Sequence, residues 1–155
     1  MARARRTTLL AVAATATLAV ATAVVVLAPL PGTPVARPAD DAAPEDVVHA
    51  YTAALAAHDC DTVRALRAPS AHPSPWCEAL SSLTDVSVGA PLPQDARGAG
   101  LPATADVVQV PVTFTVDWRP FRDDGSLDEG PTTWGYVLVR ETARDPWRVA
   151  DEGVG

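Results

Sequence analysis

The chain has 155 residues, with twelve arginines, no lysine and nineteen acids, for a formal net charge of −7. The charge is split: Arg3, Arg5 and Arg6 precede every acid, whereas the residues beyond 44 hold eight arginines against seventeen acids, a net of −9. That acidic stretch is long enough for one modest domain with a single core, and it has no basic cluster to capture nucleic acid or anionic lipid, so both are excluded as partners of the domain.

From Thr7 to Ala28 there are 22 uncharged residues made only of Ala, Val, Leu and Thr. As a helix rising about 1.5 Å per residue, the run covers about 33 Å, enough to cross a hydrocarbon core about 30 Å thick. The three arginines before it stay on the cytoplasmic side, which puts the rest of the chain outside. A cleaved signal peptide is the alternative, with Val26-Leu27-Ala28 as the small-x-small site and Pro29 directly after it. No cysteine stands near the end of the run, which argues against a lipid-attached lipoprotein. Residues 1–28 are thus read as a transmembrane anchor or a signal segment, and both readings place the domain outside the cytoplasm. Residues 29–44 carry five prolines and almost no large apolar side chain. Such a stretch does not offset its ordering entropy, and it is expected to be an extended, semi-rigid spacer.

The extracytoplasmic domain is assigned to residues 45–152. Pro44-Glu45-Asp46 supplies a turn-forming proline and two acids suited to the positive end of a helix dipole. A helix to about His58 then places Val47, Val48, Tyr51, Ala54, Leu55 and His58 on one buried arc, with His49, Ala53 and Ala56 opposite. A short helix is expected from Asp61 to Arg67, with Val63 and Leu66 inward, and another from Trp76 to Leu83. After residue 84 the period changes to two. A weak strand at Asp85–Val88 precedes a Gly- and Pro-rich connection from Gly89 to Pro102. From Asp106 to Trp118 the even positions Val108, Val110, Val112, Phe114, Val116 and Trp118 alternate with polar ones; Pro111 points to an edge position or a bulge. Thr132–Arg140 reads as a strand covered on much of both faces, and the two are joined through Asp124-Gly125 and Glu129-Gly130. A last strand runs from Trp147 to Asp151 after the turn at Arg144-Asp145-Pro146. Helices first and then an antiparallel meander make an α+β domain with helices on one sheet face.

The helix Val47-Val48-His49-Ala50-Tyr51-Thr52-Ala53-Ala54-Leu55, the cysteine after it and the closing Trp147-Arg148-Val149-Ala150-Asp151 strand together resemble the NTF2-like superfamily, in particular its small exported or membrane-anchored actinobacterial members. The resemblance implies a cone of about three helices wrapped by a curved antiparallel sheet, with a cavity at the open end. Enzymes, ligand binders and assembly subunits share that fold. The acid or His-Asp pair of its enzymes has no residue-by-residue match here.

Cys60 and Cys77 are the only cysteines. In an oxidising compartment such a pair is expected to form a disulfide, and closing this loop is worth about 3 kcal/mol in the chain-entropy model. A zinc set with His58 and His72 and a pair of free thiols are the alternatives, although the spacing is not that of a zinc finger. Four acids within Asp123–Glu129 form a solvated hairpin tip or, alternatively, a calcium site, but the alternation of an EF-hand is missing. Tyr51, Trp118, Trp134 and Tyr136 are the candidate pocket wall, with core packing as the other reading. A catalytic reading enlists Asp117, Asp151 or His49 as general base and Tyr136 as a donor to an oxyanion. Asp117 and His49 project to polar faces, so no catalytic residue, cofactor or metal is expected. The functional expectation is a membrane-tethered binding or assembly module of the cell envelope, with an envelope protein or a second copy as partner. A small-molecule (lipid or metabolite) binding protein and a small lyase or isomerase are the alternatives.

Overall fold

The structure, a computed structural model, describes residues 32–97, 101–122, 125 and 127–153. The expected N-terminal anchor or signal segment lies outside the described residues, as do Asp123, Asp124 and Ser126 of the acidic tip. Among the described residues no helix is long and apolar enough to cross a membrane.

The domain is α+β, with three helices, α1 (Pro44–Ala56), α2 (Cys60–Leu66) and α3 (Trp76–Ala79), followed by five strands, β1 (Leu80–Val88), β2 (Leu92–Gln94), β3 (Asp106–Trp118), β4 (Gly130–Arg140) and β5 (Arg148–Gly153). The strands form one curved antiparallel sheet of order β1-β3-β4-β5, with β2 beside β1 on the same flank of β3. α1 packs its apolar arc of Val47, Val48, Tyr51, Ala54 and Leu55 against β1 and β3.

α1 stops two residues short of His58 because His58 adopts a left-handed conformation, with φ of 54°. The Asp59 amide donates to the Ala54 carbonyl at 2.9 Å and the His58 amide to that of Leu55 at 3.1 Å, the paired closure of a Schellman motif. His58 therefore lies past the helix rather than on its buried face. Asp59 then caps α2, accepting the Thr62 amide at 3.1 Å.

The third helix is four residues long, where a run to Leu83 was expected. From Leu80 the chain is a strand paired with the C-terminal half of β3, Leu80 opposite Trp118 and Val88 opposite Val112. Pairing along β3 satisfies the backbone of Leu80–Val88 and outweighs its weak local helix pattern. A bulge at Asp85, with φ of 54°, lies within β1.

β3 has the bounds its alternation predicts, and Val110, Val112, Phe114, Val116 and Trp118 are buried. It is an inner strand, however, so Pro111 is not at an edge. The Gly89 amide donates to the Pro111 carbonyl at 2.8 Å, on the flank where β1 ends at Val88 and β2 begins only at Leu92. The missing N–H of Pro111 thus faces the flank where the neighbouring ladder is interrupted between Val88 and Leu92. A Cβ on Gly89 would stand 2.9 Å from the proline ring, which explains the glycine.

The described part of the proline-rich segment has no helix or strand, turns at Asp40–Asp41 with the Ala42 amide donating to the Ala39 carbonyl at 3.1 Å, and is fastened to the domain. The Thr33 amide donates to the Ala57 carbonyl and the Val35 amide to Asp59 Oδ2, both at 2.9 Å. Val35 and Ala42 pack against the core. A Cβ on Gly32 would overlap the His58 carbonyl, so only glycine lets the strap lie this close. Two hydrogen bonds and an apolar contact offset an ordering entropy that composition alone leaves unbalanced.

Candidate functional site

The four aromatics of the candidate pocket wall are all buried, but they fall into two groups. Trp118 and Trp134 pack on Trp76, a residue outside the expected set, with ring centroids 5.3 Å and 5.1 Å away. Phe114 meets the same indole edge-on at 5.9 Å. Trp76 from α3 thus fills the space between sheet and helices. The Trp118 indole N–H is satisfied by the Leu127 carbonyl at 3.0 Å. Tyr51 and Tyr136 form the second group, ring centroids 5.3 Å apart, and both are fully buried.

Behind the two tyrosines lies a polar network that the sequence reading did not identify. Arg67 Nη1 donates to the Tyr51 hydroxyl at 2.7 Å and to Glu152 Oε1 at 2.9 Å. The side chains of Arg67 and Glu152 are only 8% and 11% exposed. Arg67 reaches this place because it leaves α2 in an extended conformation and bridges Val149, the Ala68 amide donating to the Val149 carbonyl at 2.8 Å. Glu152 stands opposite Tyr136 in the β4–β5 ladder. Ser74 stands beside Tyr51 and Glu152, favouring their charged forms, although its hydroxyl makes no hydrogen bond of good geometry. Arg67 Nε, Tyr136 OH and Glu152 Oε2 are likewise buried without a hydrogen bond.

Burial sets the ionisation of this group. It raises the Tyr51 hydroxyl to about 12, with the Glu152 charge adding to the effect. It also pushes Tyr136 well above the usual phenol range, so both tyrosines are neutral. Burial raises the Glu152 carboxyl too, and Arg67 pulls it part of the way back. Burial works to lower Arg67, but Tyr51 and Glu152 outweigh it and hold the guanidinium above its ordinary value.

Glu152 points inward because of a register shift. Leu138 pairs with Val149 whereas Val137 pairs with Asp151, which leaves Ala150 as an extra residue in β5. The bulge inverts the alternation, so the inward acid is Glu152 and Asp151 is exposed. The three candidate bases do not converge. Asp151 lies on the surface and accepts the Glu152 amide at 2.9 Å, Asp117 is exposed and accepts the Ser82 hydroxyl at 2.7 Å, and His49 is exposed on α1. The one clue to Glu152 was Tyr51: a tyrosine on a buried helix face needs a partner for its hydroxyl.

Cys60 and Cys77 form a disulfide, with Cα atoms 5.6 Å apart, tying α2 to α3. Both sulfurs are in that bond, so neither is available as a thiolate ligand. His58 Nδ1–H donates to the Cys77 carbonyl at 3.2 Å and locks the α1–α2 corner to the bridge; His72 is exposed on the loop before α3. Among the described residues no group of three or more His, Cys, Asp or Glu side chains is placed to hold a metal ion.

Next to the disulfide is a half-open cleft of about 710 Å³, walled by Val63, Ala68 and the prolines of the Pro69–Pro75 loop. Arg64, Arg67, Arg122, Ser74 and Glu78 supply its polar groups, and Arg67 and Ser74 connect it to the buried network. None of Tyr51, Trp118, Trp134 and Tyr136 lines it.

No protein-family model matches the sequence, and neither a curated protein nor a solved structure shows significant similarity to it.

Proposed function

We propose that the protein is an extracytoplasmic NTF2-like module, tethered to the membrane by its N-terminal apolar helix, that serves as a binding or assembly subunit of the cell envelope. The helix-then-meander order with a curved sheet is the layout the cone requires. The disulfide suits an oxidising compartment. The observation that carries the binding-module reading is the filled interior: Trp76, Phe114, Trp118 and Trp134 occupy the volume between helices and sheet. A scaffold packed in this way makes its functional contacts from outside, and confinement to a membrane surface raises the effective concentration of weak partners.

The test is crosslinking in intact cells. Because the chain has no lysine, the reagent must couple carboxylates, for example a dihydrazide. Recovery in the membrane fraction, without free thiols and joined to a discrete partner, is the expected result. A soluble chain with reduced cysteines, or one that stays uncrosslinked, would refute the proposal.

A second reading, a small-molecule binder, is favoured by one feature: Arg67 Nε, Ser74 Oγ and Glu152 Oε2, none of them hydrogen-bonded, lie behind the cleft wall. A ligand from a lipid and metabolite panel that raises the melting temperature would support it, and an unmoved transition across the panel would not.

A further inference from the structure

Three of the eight arginines beyond residue 44 line the cleft beside the disulfide, and folding brings them there from separate places: Arg64 on α2, Arg67 just after it and Arg122 on the turn after β3. Among the described residues of the lining, Glu78 is the only acid. In a segment with a net charge of −9 the cleft thus reverses the local sign. Arg122 sits on a fastened turn, its amide donating to the Arg119 carbonyl at 3.0 Å and the Arg119 amide to the Ala79 carbonyl at 2.9 Å. Arg64 pairs with Asp61 at 2.7 Å, but both side chains are exposed, and such a pair exchanges readily for another anion. Arg67 is held by Tyr51 and Glu152 through Nη1, yet its buried Nε has no acceptor. The hydroxyl of Ser74, also in the lining, is a second buried group without a hydrogen bond. Two unpaired buried donors at one cleft wall cost stability and do nothing for the packing. Val63, Ala68 and the three prolines Pro69, Pro73 and Pro75 make the rest of the wall apolar.

Deepening the small-molecule reading, on which it rests, we propose that the cleft binds a small amphiphile with an apolar body and a single carboxylate. The carboxylate accepts from the Ser74 hydroxyl, which turns about one bond to meet it, and from Nε of Arg67, while Arg122 and Arg64 supply positive charge around it. Ser74 lies on the Pro69–Pro75 loop, which has no helix or strand to hold it, so a shift of that loop uncovers both donors. The Arg67 guanidinium needs no reordering, because Tyr51 and Glu152 already fix it. The apolar body lies along Val63 and the prolines. A volume of about 710 Å³ is within the range of about 300 to 1,000 Å³ usual for small-molecule sites. One negative charge suits the site better than two, because Glu152 behind Arg67 and Glu78 in the lining repel a second, as a phosphate monoester would carry. A polyanion or an anionic membrane surface meets the net −9 of the segment beyond residue 44 and is the poorer occupant.

The experiment is calorimetric titration of the full chain in zwitterionic lipid nanodiscs, with empty nanodiscs as the blank, using hexanoate, hexanol and hexyl phosphate. Hexanoate is expected to bind more tightly than either of the others by about tenfold or more. Ser74→Ala removes a hydroxyl that makes no hydrogen bond in the structure, so the melting temperature holds or rises while the dissociation constant for hexanoate increases by about tenfold. Arg122→Gln, at an exposed position, weakens binding and flattens its dependence on salt. Hexanol or hexyl phosphate binding as tightly as hexanoate overturns the carboxylate assignment while leaving the small-molecule reading in place. Unchanged affinity in both variants overturns the assignment of the site. Failure of all three compounds to bind overturns the proposal, and the small-molecule reading falls with it only when the wider lipid and metabolite panel also leaves the melting temperature unmoved.

Discussion

Replacing Arg67 with methionine removes a guanidinium that is 8% exposed and leaves Glu152, 11% exposed, facing the hydroxyls of Tyr51, Ser74 and Tyr136. Methionine keeps most of the volume, so the loss is electrostatic. The carboxyl of Glu152 is already raised by burial, and Arg67 is the main influence pulling it down. Without that charge it rises further. An acid whose folded pKa lies above its unfolded value, about 4.3 for glutamate, contributes stability that is fully present below the unfolded value. That contribution is lost as the pH climbs through the folded one, so the cost of the substitution grows with pH. Once the carboxyl is forced to choose between burial of a lone charge and protonation, the cost approaches the range of about 3–5 kcal/mol for breaking a buried ion pair. Losing the donor to Tyr51 adds about 1 kcal/mol at either pH. The expected destabilisation is therefore at least about 3 kcal/mol at pH 8 and smaller at pH 5. Urea unfolding followed by fluorescence of the Trp76, Trp118 and Trp134 cluster measures it. Equal costs at the two pH values, or a larger one at pH 5, would refute the assignment of Glu152 as a buried carboxyl held by Arg67.

Opening the Cys60–Cys77 loop with a double serine substitution is expected to cost about 3 kcal/mol, read as a lowered urea midpoint under oxidising conditions. Gly32→Ala forces the strap off the His58 carbonyl; the Thr33 and Val35 amides lose protection from hydrogen exchange while the β3 amides keep theirs. Asp59 is held below the usual carboxylate range by the Val35 amide first and then by Thr62. Its contribution is present at neutral pH and disappears as the pH falls through its lowered value, so Val35 and Thr62 amide protection should fall together on acidification. Loss of protection at Val35 well above pH 4 would show that a different group holds the strap.

Part of the architecture was legible in the residue pattern because it depends on local periodicity. The two-residue alternation marks both ends of β3, and the 3.6-residue arc of α1 identifies Val47, Val48, Tyr51, Ala54 and Leu55 as buried. The disulfide was legible because the chain has only two cysteines, an even pair that can bridge. His58 continues the same arc on a helical projection, yet its own left-handed backbone ends the helix before it, and nothing in the side-chain period signals that.

The rest required the tertiary structure, for reasons of distance along the chain. Whether Leu80–Val88 is helix or strand depends on β3, some thirty residues later, offering a free flank. Whether Gly32 to Val35 is a loose spacer or a strap depends on carbonyls and a carboxylate at the end of α1. Asp151 and Glu152 look interchangeable in sequence, but one extra residue at Ala150 inverts the face of each and sends Glu152 to meet Arg67 from 85 positions away. Sequence alone thus determined the elements that repeat with a period, because each turn of a helix or step of a strand carries its own signal. Folding decided which of two similar residues turns inward, because a bulge, a cap or a close backbone approach depends on partners the local pattern does not contain.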